Sequence, residues 1–336
     1  MRSRAIRLYH HIRIQSWFKL SRKWLGLTVK LGISLAIIYF VYWQLSEEAG
    51  QLAVLWADLS YPDWGFMMLC LALMPVNWGI EAAKWRYLMR RSVAGLSFKT
   101  AFQAIFAGNA TGLLTPNRIG AYAGRILYLP VGQRLQGTVF MLVDRLCQLV
   151  ITLWMGTISL ECLLADPGLA WLSQDPTLAP WLMGFRVSLW SVDALLPLML
   201  LNPVLLQRLP LPKVSWLEEA RQSLSQLERQ SIIWVLLAGA IRYVVFSSQF
   251  LLLMYALGYD GDVWLAFGMV GIIFLTKSIV PSIALTELGI RESVAIAIMG
   301  GWGFSVLMAF GSTFLLYLIN IALPALIGLA FVYRIK

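Results

Sequence analysis

Two apolar stretches of this chain are interrupted in the same manner, one in each half, and no other feature constrains its fold as tightly. The first reads Gly108-Asn-Ala-Thr-Gly-Leu-Leu-Thr-Pro116-Asn117-Arg118-Ile-Gly120-Ala-Tyr-Ala-Gly124-Arg125. The second reads Thr276-Lys277-Ser-Ile-Val-Pro281-Ser-Ile-Ala-Leu-Thr-Glu287-Leu-Gly289-Ile-Arg291-Glu292. In each, a Pro is followed by Gly and Arg inside sequence otherwise apolar enough for a bilayer. Proline removes a backbone donor and crowds the preceding turn. Lipid cannot satisfy the groups this frees, so such backbone must be buried in protein or face a watery cavity. Paired breaks in the two halves of a membrane protein point to a binding site near the membrane midplane.

With 59% hydrophobic and 13% charged residues, an ordinary soluble domain is excluded. Apolar windows of membrane-spanning length suggest spans at 25–45, 64–83, 136–163, 181–201, 231–257 and 303–333. Stretches 98–130 and 263–299 each have room for two short helices around a Pro. The expected fold is therefore an all-α polytopic membrane protein with about six full spans plus two Pro-broken re-entrant hairpins arranged as an inverted repeat. Residues 1–24 form a basic arm without signal-peptide character, and 25–336 form a single membrane domain. The alternative, in which each broken stretch crosses as two complete spans, predicts the same loop sides. Half-segments of about 13–18 residues are marginal for a full crossing and favour re-entry.

Charge supplies the orientation. The 27 basic residues against 17 acidic ones would suggest nucleic acid in a soluble protein. In a membrane chain they mark cytoplasmic loops and anionic headgroups, and no nucleic-acid partner is expected. The arm containing Arg2, Arg4, Arg7 and Arg13 is placed inside, and Glu47, Glu48, Asp58 and Asp63 outside. Lys84, Arg86, Arg90, Arg91 and Lys99 return the chain inside, and Arg134 does so after the first hairpin. Glu161, Asp166 and Asp175 lie outside, Arg208, Lys213, Arg221 and Arg229 inside, and Asp260 and Asp262 outside. Both termini are then cytoplasmic. Residues 213–230 carry apolar side chains at 214, 217, 220, 224 and 227. That spacing makes an amphipathic helix, lying on the membrane surface or serving as a plain connector.

Cys70, Cys147 and Cys162 lack metal-ligand spacing and read as buried small hydrophobes. The two histidines, His10 and His11, lie in the arm, and no hydrolase elbow, phosphate loop or zinc pattern occurs. Neither an enzyme nor a cofactor or metal site is expected.

Ionisable groups at membrane depth are costly and usually face a pathway or a partner. Arg118 and Arg125 have no acidic neighbour between Gly95 and Asp144, so they are expected to be unpaired and suited to an anion such as a lipid phosphate. Glu287 and Arg291, four apart, would stack as an ion pair on a helix starting near Thr286. Lys277 and Glu292 complete the charges of the second hairpin. Asp144, beside Arg145 and on one face with Gln148, reads as neutralised by Arg145 or by a hairpin arginine, or as part of a pathway. Arg242, Arg186 and Asp193 are weaker candidates. Ala104, Gly108 and Gly112, like Gly120 and Gly124, recur at intervals of four and would let helices approach closely.

At Thr115-Pro-Asn-Arg-Ile-Gly120 with Arg125, and at Glu287-Leu-Gly-Ile-Arg-Glu292, the chain resembles the flippase-like family named for the transmembrane region of lysylphosphatidylglycerol synthase. The family's usual patterns are Pro-Gly-x-x-Gly-Glu leading to an Arg, and later Gly-Leu-Gly-x-Arg-Glu. The resemblance spans about residues 25–333. Asn117 replaces a usual Gly, Ala121 a usual Glu and Glu287 a frequent Gly, so the substrate is expected to differ from that of the best-known relatives. The synthase activity is not carried over, because these residues hold no aminoacyl-transfer domain.

The resemblance implies a multi-pass bacterial or archaeal plasma (inner) membrane protein. Its expected partners are membrane lipids with anionic or amino-acylated phospholipid headgroups. The expected role is a flippase, with a non-transporting scaffold or lipid sensor as the alternative; a homodimer and a separate lipid-modifying enzyme are left open as partners. The candidate lipid-binding residues are Pro116, Asn117, Arg118, Gly120, Arg125, Asp144, Arg145, Lys277, Pro281, Glu287, Gly289, Arg291 and Glu292.

Overall fold

The computed structural model describes residues 62–90, 92–93, 95–113, 115, 118–165, 174–202, 214–279 and 287–333, with scattered single positions between 28 and 53. For Ser215, residues 287–290 and Leu307 it describes the backbone alone. The span expected at 25–45 lies largely outside the described residues, as do Pro116, Asn117 and Pro281.

The described chain is helical throughout, with no strand. In order come α1 (Trp64–Met89), α2 (Phe98–Leu113), α3 (Gly120–Ile126), α4 (Arg134–Leu164), α5 (Ala179–Leu201), α6 (Ser215–Ser225) and α7 (Arg229–Ala256). These are followed by α8 (Val263–Ile279), α9 (Glu287–Gly300), α10 (Val306–Tyr317), a π turn (Leu318–Ala322) and α11 (Leu323–Val332). Among the described residues, five segments are long and apolar enough to cross a membrane: Trp64–Met89, Val131–Leu164, Ala179–Leu201, Arg229–Ala256 and Met308–Val332. They agree with five of the expected spans. Helix α5 exposes Trp181, Met183, Phe185, Val187 and Trp190. An apolar helix with so little of its surface covered by protein is suited to lipid.

Helix α1 corrects one placement. The span expected to end at residue 83 continues to Met89, so Lys84 is a buried member of the helix and not a loop cation. Its N-terminus is capped by the Asp63 carboxylate, which accepts from the Gly65 N–H at 2.8 Å. Helix α6 is shorter than the 213–230 pattern. Its apolar side rests on α4 through Ala220, Leu224 and the buried Leu227 next to it, which favours the connector reading. Cys70 and Cys147 are buried as expected; Cys162 is exposed.

The first hairpin is interrupted where the sequence placed the break. Helix α2 stops at Leu113 and α3 begins at Gly120, with Arg118 between them in the left-handed region at φ 56°. The Thr111 hydroxyl donates to the Gly120 carbonyl at 2.7 Å, and the Gly120 N–H donates to Thr115 Oγ1 at 2.7 Å. Side-chain oxygens thus replace part of the lost helical ladder. Close approach then depends on glycine: a Cβ on Gly124 would lie 2.6 Å from the Gly108 Cα. In the second broken stretch, α8 is described to Ile279 and α9 from Glu287.

The helix contacts are reciprocal. Helix α2 lies along α11, the last helix of the second half, and α8 lies along α4, the last long helix of the first hairpin's half. Helices α1 and α7 pack on each other between them. Small residues make both lateral contacts, with Gly328 against the Phe106 carbonyl and Gly271 against Ser159.

Candidate functional site

Asn77 of α1, Gln148 of α4, Arg242 of α7 and Asn320 of the π turn stand at or beside the midpoints of four long apolar segments. All four line one cavity of about 480 Å³. That is within the size range of small-molecule sites, roughly 300–1,000 Å³. Four cations reach it from four different elements: Arg118 from the α2–α3 break, Arg145 from α4, Arg242 from α7 and Lys277 from α8. No described lining residue is acidic. Trp78, Tyr243, Phe246 and Phe274 complete an aromatic wall.

The Asn77 amide donates to Asn320 Oδ1 at 2.9 Å, joining α1 to the π turn. Extra residues in a helical turn change which side chains face inward, and such turns are frequent at functional sites. Arg118 donates to Asn109 Oδ1 at 3.2 Å, which ties the strained residue back to α2. The Arg242 guanidinium lies 5.4 Å from the Trp78 ring centroid and 3.5 Å from Gln148 Oε1. Arg145 makes no hydrogen bond or ion pair with any described residue.

Behind the cavity wall is a buried ion cluster. Glu81 of α1 has its Oε1 3.0 Å from Arg125, and its Oε2 3.1 Å from Lys84 and 3.6 Å from Arg242. Lys84 also reaches Asp144 at 2.7 Å. Glu81, Lys84 and Arg125 are each almost fully enclosed. Two carboxylates thus meet three cations among the described residues, so the cluster compensates its own charge only in part. Arg242 belongs to both sites, touching Glu81 on one side and the cavity on the other.

Several expectations are corrected by this geometry. Arg125 is not unpaired: Glu81, on a helix that the local sequence does not contain, holds it away from the cavity. Asp144 is neutralised by Lys84, not by Arg145 or a hairpin arginine. Arg291 pairs with its neighbour Glu292 at 2.7 Å and lies 5.3 Å from the Tyr317 ring centroid, so both are buried in the α9–α10 contact and outside the cavity lining. Glu287 and Gly289 are described by their backbone alone, so the expected Glu287–Arg291 pair lies outside what is described. Arg186, a weaker candidate, pairs with Glu161, and Asp193 is buried against α4.

Of the expected candidates, Arg118, Arg145 and Lys277 are brought together, and Gly120 shapes the turn beside them. Sequence reading missed Glu81, Lys84, Asn77, Trp78, Tyr243 and Asn320, and underrated Arg242. Part of this was recoverable, since Asn77, Glu81 and Lys84 fall at spacings of four and three and so share a helix face.

A largely helical chain with several apolar spans, and with cations gathered at their mid-length, is a multi-pass membrane protein. The model of the family described as Lysylphosphatidylglycerol synthase TM region matches residues 27–328, and the chain belongs to that family. No curated protein and no solved structure matches it.

Proposed function

We propose that the protein is a lipid flippase, moving an anionic or modified lipid headgroup between the leaflets of a plasma membrane while the acyl tails remain in lipid. The observation that carries this reading is the convergence of Arg118, Arg145, Arg242 and Lys277 on a cavity at the mid-length of the long helices. Charges at such depth cost several kcal/mol, of order 3 on insertion scales, and mark pathways by default. Family membership supports a role in lipid handling. The reciprocal contacts of α2 with α11 and α8 with α4 support an inverted repeat with one re-entrant hairpin from each side. Rocking of one repeat against the other would then expose the cavity alternately. In this reading no bond is made or broken, and both termini are cytoplasmic.

The test is leaflet exchange of a fluorescent phospholipid in proteoliposomes, followed by quenching of the outer leaflet. Arg118→Gly suits it, because glycine accepts the positive φ that arginine holds under strain, so only the guanidinium is lost. The expected result is at least tenfold slower exchange in a protein that still unfolds cooperatively, its melting temperature lowered by no more than the lost Asn109 hydrogen bond accounts for. Exchange at the wild-type rate in both Arg118→Gly and Arg145→Ala would sink the reading.

A further inference from the structure

The cavity's chemistry narrows the headgroup it can hold. Arg145 presents its charge without any described partner, and Arg242 shares its own between Glu81 and the cavity. The same wall carries three buried polar atoms without hydrogen-bond partners among the described residues: Trp78 Nε1, Asn77 Oδ1 and Asn320 Nδ2. The last two are what the single Asn77–Asn320 hydrogen bond leaves over, one acceptor and one donor. All three residues are over nine-tenths enclosed, which leaves these atoms for a group entering the cavity. The site therefore offers guanidinium forks for a phosphate and uncharged donors and acceptors for neutral hydroxyls. For an ammonium it offers no described carboxylate and several like charges.

From this we infer that the cavity selects a phosphodiester headgroup carrying an uncharged polyol and rejects one carrying an amine. That runs against the amino-acylated lipid expected from the family resemblance. The inference rests on reading the cavity as a headgroup site, but not on transport, since selection is an equilibrium property of the site.

The experiment is titration of the purified full chain in neutral detergent, followed by native mass spectrometry. The probes are dioctanoyl forms of phosphatidylglycerol, phosphatidic acid, phosphatidylethanolamine and lysyl-phosphatidylglycerol, with sn-glycerol 1-phosphate and inorganic phosphate as water-soluble counterparts. Phosphatidylglycerol is expected to bind at least tenfold more tightly than either amine-bearing lipid, and severalfold more tightly than phosphatidic acid. Arg145→Ala, which breaks no ion pair, should lower phosphatidylglycerol affinity at least tenfold at an unchanged melting temperature. Equal or tighter binding of lysyl-phosphatidylglycerol, or wild-type affinity in Arg145→Ala, would overturn the inference. Glycerol phosphate binding as tightly as the lipid would overturn a lipid as its source. A protein that exchanges lipids without regard to headgroup charge sinks this inference alone, whereas one that selects but does not exchange sinks only the flippase reading.

Discussion

Glu81→Leu is expected to cost the protein about 3–5 kcal/mol, the usual consequence of removing one partner from a buried ion pair. The cost arises from what remains. Lys84 keeps Asp144 at 2.7 Å, and Arg242 keeps contact with Gln148 and the cavity. Arg125 keeps nothing comparable, since Glu81 is its one carboxylate within 4 Å among the described residues, and its side chain is only 2% exposed. An enclosed guanidinium without a counter-charge has no water to turn to. Asp144→Asn should be milder, because Lys84 retains Glu81 at 3.1 Å. The diagnostic comparison is the double variant Glu81→Leu with Arg125→Met, which removes both charges and should recover most of the loss. Melting temperatures in lipid nanodiscs, read by intrinsic fluorescence, would check the series. A Glu81→Leu protein as stable as wild type would show that the cluster holds nothing together.

The cluster also shows where sequence reading stopped. Five membrane segments, the first break and the glycine spacing were legible because each is a local property: apolar length, a proline, an interval of four. The pairing of Arg125 was not, because its partner lies 44 positions upstream and the chain between them holds no clue to their meeting. Arg118 and Arg125 are seven apart, and one continuous helix would have aimed both the same way. The break at φ 56° lies at Arg118 itself, so one arginine reaches the cavity while the other is enclosed against Glu81. Lys84 was misplaced for a related reason: a hydropathy window closes where charges accumulate, here at Lys84 and Arg86, whereas this helix carries Lys84 inward on the face of Asn77 and Glu81. Asn320 escaped notice because a π turn abandons the 3.6-residue period on which a helical wheel depends.

The two lateral contacts that frame the cavity should differ in how much they tolerate, although they occupy corresponding places in the fold. At Gly328 an added Cβ would press into the carbonyl of Phe106, with the carbonyl carbon itself at 2.7 Å. Backbone inside α2 cannot yield without moving the helix that carries the first break. At Gly271 the obstruction is the side chain of Ser159, whose Cβ would be 2.7 Å away, while the nearest backbone atom, the Met155 carbonyl oxygen, is at 3.4 Å. Overpacking typically costs about 1–3 kcal/mol, and occasionally more. Gly328→Ala is therefore expected at or above the top of that range, about 3 kcal/mol, and Gly271→Ala near the bottom, about 1 kcal/mol. Ser159→Gly should restore Gly271→Ala to nearly wild-type stability, because removing the side chain removes the clash. No side-chain truncation on α2 can do the same for Gly328→Ala, since what it strikes is main chain. Thermal unfolding of the three variants in one detergent decides the matter. Equal losses at the two glycines, or failure of Ser159→Gly to rescue its partner, would mean that the α2–α11 contact is no tighter than α4–α8. The first hairpin would then have no rigid abutment against the second half of the chain.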